Sequence, residues 1–185
     1  ADLFYGLGLF YAQDTMPLSD SHIAEKYFRQ AIAEQHLDAM YALAQCYLEP
    51  MAGFAQDEAQ ASTYLLQAAN MGHVLAMHQL GNLYLIGRGI DKDEQHARVW
   101  LERAVAQQHT PAMNDLAEIY EYGWGVEIDP ERALQLYQTA ADALDAEACY
   151  QLGRLYLEGN MCKRDYAQAR AWLKKSAGLG LLKAD

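Results

Sequence analysis

Positive charge is scarce in this chain: 14 lysines and arginines stand against 25 aspartates and glutamates, for a net charge of −11. A phosphate backbone demands a cationic surface, so this balance argues against nucleic acid as a partner. Long apolar runs are missing too. No stretch of about 18 apolar residues occurs, which leaves no transmembrane helix to expect. Cysteine is sparse, and the three present cannot all pair within one chain. Catalytic motifs are also lacking. Gly87-Arg88-Gly89 has neither the third glycine nor the preceding strand of a phosphate loop. There is no nucleophile elbow, no helical His-Glu-x-x-His, and nothing that converges on a reaction centre. Neither an enzyme nor a cofactor nor a bound metal is expected.

Apolar material, by contrast, is ample. It makes up 52% of residues at a mean hydropathy of −0.23, and disorder does not fit such a composition. Charge is uneven: Lys163, Arg164, Arg170, Lys174, Lys175 and Lys183 are opposed only by Asp165 and Asp185 over residues 163–185. The expectation is that this basic end meets the next, acidic unit of a longer array. The chain starts Ala1-Asp2 without Met and ends at Ala184-Asp185, which suggests a processed leader or an excerpt. Unpaired thiols suit the cytoplasm and the Ala-Asp start suits the periplasm, with a slight preference for the latter.

What organises the chain is a period. Ala24, Ala61, Ala97, Ala133 and Ala169 recur every 36 or 37 residues. Leu7, Leu43, Leu80, Leu116 and Leu152 keep that step, as do Tyr11, Tyr47, Tyr84, Tyr120 and Tyr156. A fixed period of this size marks a solenoid of one repeated supersecondary unit. Cys46, Cys149 and Cys162 fall in columns that hold aliphatic residues or Met elsewhere, so all three read as core.

In the third unit, Ala76, Leu80, Gly81 and Tyr84 lie on one face of a helix. Gly87 and Gly89 stop that helix. Asp93 then caps a second one, as do Asp20, Asp57, Asp129 and Asp165 in the same column. The second helix carries Ala97, Trp100, Leu101 and Ala104, its small residues permitting close approach and its large ones filling the gap between neighbours. Such short helices need stacking to be stable.

These residues resemble the SEL-like repeat (SLR) family, relatives of the tetratricopeptide repeats. The likeness rests on Leu80-Gly81-Asn82-Leu83-Tyr84, Gly87-Arg88-Gly89-Ile90, Asp93, Ala97, Trp100-Leu101 and Ala104. It returns in Gly123-Trp124-Gly125-Val126 and Asp129-Pro130, and in Leu152-Gly153 with Tyr156 and Gly159. The resemblance implies an all-α, right-handed α/α superhelix of five helix-turn-helix units, over 1–38, 39–75, 76–111, 112–147 and 148–185. Two units replace the glycine turn, with Asp14-Thr15-Met16-Pro17 and with Pro50-Met51-Ala52-Gly53, and those turns should differ in shape. A secreted, cysteine-rich branch clamps each repeat with a disulfide. Here the column expected to partner Cys149 shows Ala141 and Val105, so no clamp is expected. Some members of that branch are linked to penicillin binding, but none of Ser19, Ser21, Ser62 or Ser176 is followed three residues later by lysine.

The family implies a protein-interaction scaffold whose first helices line a concave groove. With Ala39, Leu43, Ala44 and Tyr47 facing the core, the opposite stripe is Tyr41, Gln45 and Leu48. Its counterparts are His78, Asn82 and Leu85; Asn114, Glu118 and Glu121; and Tyr150, Arg154 and Leu157, with Tyr5, Leu9 and Ala12 completing the row. These columns vary from unit to unit, which suggests that stacking leaves them free to bind. Arg154 is the sole base among them and Glu118 and Glu121 read as solvated, so a neutral or basic protein segment is the expected ligand. Trp124 is either an exposed anchor or folded on its own turn. His36, His73 and His109 share a column too widely spaced for a metal site and read as a loop preference. The roles that fit are an envelope adaptor, a regulator or a toxin-neutralising protein of a bacterium. A spacer or self-assembly segment is the alternative, and a hydrolase or penicillin-binding activity a remote one.

Overall fold

A computed structural model of the chain describes residues 1–13, 20–49 and 53–180. Helices alternate with short turns, and among the described residues there is no strand. The chain forms two compact units, Ala1–Trp100 and Leu101–Asp185. The first contains α1 (Asp2–Tyr11), α2 (Ser21–Ala33), α3 (Leu37–Leu48), α4 (Glu58–Asn70), α5 (Val74–Ile86) and the opening turns of α6 (Glu94–Ala106). The second contains the end of α6, then α7 (Thr110–Tyr122), α8 (Pro130–Asp142), α9 (Ala146–Glu158) and α10 (Tyr166–Gly178). Within the first unit α1 to α5 pack each against the next, and within the second α7 to α10 do the same. The all-α repeat class expected from the period is the class observed.

The alanine column lies at the centre of this packing. Ala24, Ala61, Ala97, Ala133 and Ala169 are fully buried, as are Ala31, Ala68, Ala104 and Ala140 one column on. A second small column, on the first helices, faces large side chains of the second. A methyl group at Gly8 would sit 2.6 Å from the Phe28 ring, and one at Gly153 would sit 2.6 Å from Leu173. Small against large lets the paired backbones approach while filling the space between them.

Each second helix begins on its aspartate. Asp20, Asp57, Asp93, Asp129 and Asp165 all accept from N–H groups of the first turn, at 2.9–3.1 Å. The same residues donate their own N–H back to the carbonyls of Tyr11, Tyr47, Tyr84, Tyr120 and Tyr156. One residue thereby satisfies free groups at the end of one helix and the start of the next.

Gly87 ends α5 in the left-handed conformation, as expected of it. Gly89 has a second role that the periodicity did not disclose. Its φ is +68°, and a Cβ there would lie 2.2 Å from the Glu58 carbonyl oxygen. This turn is pressed onto the preceding repeat: Ser62 Oγ donates to the Gly89 carbonyl, and Arg88 pairs with Glu58 at 2.7 Å while donating to the Leu48 carbonyl. The atypical turns at Asp14-Thr15-Met16-Pro17 and Pro50-Met51-Ala52-Gly53 lie, apart from Gly53, outside the described residues.

No disulfide joins the cysteines. Cys46 and Cys149 are buried, and burial pushes the Cys149 thiol pKa up. Cys162, in the turn after α9, is partly covered and packs against the core of the last repeats, with Sγ directed at the Leu155 carbonyl.

Second helices end on a left-handed residue that is not always glycine. Gly72 serves after α4, but Gln35, Gln108 and Leu144 hold φ of 61°, 61° and 64°. A side chain there costs about 1–2 kcal/mol. Leu144 is 63% exposed and loses little packing if trimmed. Leu144→Gly should therefore raise stability by about 1 kcal/mol in urea unfolding. Gly89→Ala should lower it by about 1–3 kcal/mol, because the methyl group must displace backbone.

Candidate protein-interaction surface

The stripe assigned to binding is less uniform than its variability suggests. Its first column touches the residue that opens the next repeat. The Tyr5 ring lies 4.6 Å from the His36 ring, and the Tyr41 ring 5.1 Å from that of His73. Asn114 is 8% exposed, and its Nδ2 donates to Asp145 Oδ1 at 2.9 Å. His36, His73 and Asp145 are N-cap residues: their side chains accept from the N–H of Ala39, Ala76 and Ala148 respectively. The column holds the N-cap of each of these helices; His36, His73 and Asp145 cap with their side chains, whereas the side chain of His109 at the start of α7 does not.

This arrangement settles the histidine tautomers. At His73, Nδ1 accepts the cap bond, so Nε2 carries the hydrogen and donates to Asp38 Oδ1 at 3.0 Å. His36 repeats this with Asp2 at 3.3 Å. The inference that a varying column is free of stacking is corrected here. Tyr5 meets His36, Tyr41 meets His73 and Asn114 meets Asp145, so at these three junctions the first column packs on the next helix's cap.

The third column of the stripe is also corrected. Leu48 is 1% exposed, beneath the Arg88 turn that bonds its carbonyl. Glu121, its counterpart, is buried rather than solvated, with side-chain exposure of 3%. Its two oxygens are occupied separately: Oε2 accepts from the Tyr137 hydroxyl at 3.0 Å, and Oε1 from Arg154 Nη2 at 2.6 Å. Burial, with the charges of Glu121 and Glu118, pushes the Tyr137 pKa up, so the phenol remains a donor. Burial opposes the charge on Arg154, but its bond to Glu121 outweighs that and raises its pKa. Arg154 also holds Gln151 at 2.8 Å and Glu158 at 3.0 Å. The sole base of the stripe is a structural counter-ion.

The middle column is the more accessible one. Gln45, Asn82 and Glu118 are each half-buried. Asn82 Nδ2 lies 3.3 Å from His78 Nε2 one turn earlier on α5. Burial raises the Glu118 pKa above the ordinary glutamate value, reinforced by Asp115, Glu121 and Glu147 and opposed by Arg154. Tyr150 is half-buried on α9. Trp124 is half-buried and stacks on Tyr122, with centroids 5.3 Å apart and planes at 29°, so it folds onto the end of its own helix.

Among the described residues, no group of three or more His, Cys, Asp or Glu side chains could hold a metal ion. No helix among them is long and apolar enough to cross a membrane.

Comparison with solved structures places this geometry. The chain is similar to a Sel1 repeat protein from Oxalobacter formigenes, at TM-score 0.87 and 27% identity, covering 97% of this chain and 71% of that one. It is equally similar to c5321, a protective antigen of uropathogenic Escherichia coli displaying an SLR fold, at TM-score 0.87 and 27% identity over 97% of this chain. It spans only 38% of that antigen's length. The immunity protein Pa5087 of Pseudomonas aeruginosa shares the fold at TM-score 0.61 and 22% identity, covering 97% of this chain and 66% of that one. No curated protein matches the chain in sequence. The Sel1 repeat pattern matches five times, over residues 5–36, 37–73, 74–109, 110–143 and 146–181, and the chain belongs to the Sel1 repeat family.

Proposed function

We propose that this Sel1 repeat scaffold binds a protein segment of neutral to basic character, received on the first-helix side of the second unit around Glu118. The repeats themselves are typical of protein–protein interaction. The observation that carries the finer reading is the state of Glu118. Its carboxyl is half-buried beside three other acids, and the one nearby base is committed to Glu121 and Glu158. A lysine or arginine from a partner relieves that repulsion at the point where water screens it least. Tyr150, half-buried on α9 in the first column of the same stripe, supplies an aromatic side chain on the next repeat. In the first unit, Gln45 and Asn82 occupy the equivalent positions and make the surface there neutral.

Charge decides the test. A lysine-bearing peptide should bind the wild type more tightly than its glutamate counterpart, with affinity falling as salt rises. Glu118→Gln should weaken the lysine peptide about tenfold, or about 1.4 kcal/mol, in isothermal titration. Because the Glu118 pKa is raised, its proton returns at a higher pH than for an ordinary glutamate. Affinity should therefore decline on acidification before exposed carboxylates titrate, and Glu118→Gln should lose that early decline. Equal binding of both peptides would end the proposal. Arg154→Ala serves as the contrast: it strands the buried Glu121 charge and should lower stability by about 3 kcal/mol in urea unfolding.

A further inference from the structure

One column of the second helices breaks its own pattern. Tyr27, Tyr64, Trp100, Leu136 and Trp172 occupy it in turn, so the fourth repeat alone lacks an aromatic ring. The rings have a definite seat. Tyr27 stacks on Tyr11 with centroids 5.9 Å apart and planes at 17°, and Tyr64 stacks on Tyr47 at 6.3 Å and 9°. Trp100 is 6% exposed, and Trp172 packs against the core of the last repeats. In the first two repeats the ring of this column thus lies on the tyrosine of the first helix.

In the fourth repeat Leu136 stands at this position. A cavity of about 510 Å³ lies between the end of α6 and α8, with Met113, Leu116 and Tyr120 of α7 at its floor. Val105 and Leu136 form its apolar flanks. In place of a stacked ring, the Arg132 guanidinium stands 5.2 Å from the Tyr120 ring centre. The Tyr120 hydroxyl donates to Glu102 at 3.3 Å and accepts from Arg132 Nη1 at 3.0 Å. The volume is within the range of small-molecule and side-chain pockets.

We propose that this slot receives a tryptophan side chain from a partner polypeptide, which takes the place that the chain's own aromatic holds in the sister repeats. The occupant follows from three observations. The same seat takes Trp or Tyr in every other repeat, so its depth and flat floor suit a ring. The floor tyrosine remains in place, and a ring that displaces the Arg132 guanidinium from its face can stack at the 4.5–7 Å spacing aromatic pairs prefer. At the mouth, the Glu102 carboxylate can accept from an indole N–H, and Arg132 can lie against the ring face. Anchoring by one buried aromatic is the commonest way an interface concentrates its affinity. This site is on the second-helix side of α7 and is independent of the Glu118 surface.

The test uses N-acetyl-tryptophanamide as probe, with N-acetyl-leucinamide as control, titrated into the full chain and followed by amide NMR. The expected result is saturable shifts confined to α6, α7 and α8 with the tryptophan probe alone. Leu136→Trp and Leu136→Tyr refill the seat with residues the column already uses. Both should keep helical content, raise the melting temperature and weaken the probe about tenfold or more. Unchanged binding in both variants, shifts scattered over the surface, or no saturable shift in the wild type would each overturn the proposal. So would a concentration-dependent dimer of the wild type that the two variants abolish and the probe does not compete with, since the occupant would then be a second copy of this chain.

Discussion

Everything in this protein depends on how closely two helices of one repeat can lie. The approach is possible because one helix presents a small residue, such as Gly8 or Gly153, where the other presents a large one, Phe28 or Leu173. Short helices of this kind are marginal on their own, so the energy that holds them comes from burying these matched faces. A repeat that lost the small residue would hold its partner off and disturb the neighbours stacked on it. That constraint explains why the small columns hardly vary while others change freely.

Polar groups finish what packing begins. Each repeat closes its helix ends with side chains and backbone of its own or of the adjacent repeat. The aspartate of the second helix answers free N–H groups and, through its own N–H, a free carbonyl of the first. The histidine or aspartate at the first helix performs the capping role at the next junction and carries a mate from the preceding repeat. The repeats can therefore differ in residue type at these columns without differing in geometry.

The same economy of form separates surfaces that stack from surfaces that bind. A carboxylate such as Glu121 is enclosed by Tyr137 and Arg154 and belongs to the structure. Its neighbour Glu118, one turn earlier on α7, keeps part of its surface in water, and burial with nearby acids raises its pKa. On the other side of α7, the repeat unit has dropped a ring it elsewhere retains. Divergence at a single column thus converts a packing position into an opening, with no change in the helices around it.

The amino-acid sequence by itself determined the period, the pairing of helices, the aspartate caps, the glycine ends and the family, because each rests on contacts that recur identically in every unit. Five in-phase copies of Ala24 and Tyr11 leave little choice of register. Only the tertiary structure decided that Leu48 and Glu121 face inward, that Gly89 presses on Glu58, that Tyr41 belongs with His73, and that Leu136 leaves a seat unfilled. Each of these is set by two residues from different helices meeting at one place. A column read along the chain shows what repeats, whereas a contact between unlike residues is a property of the space the helices enclose.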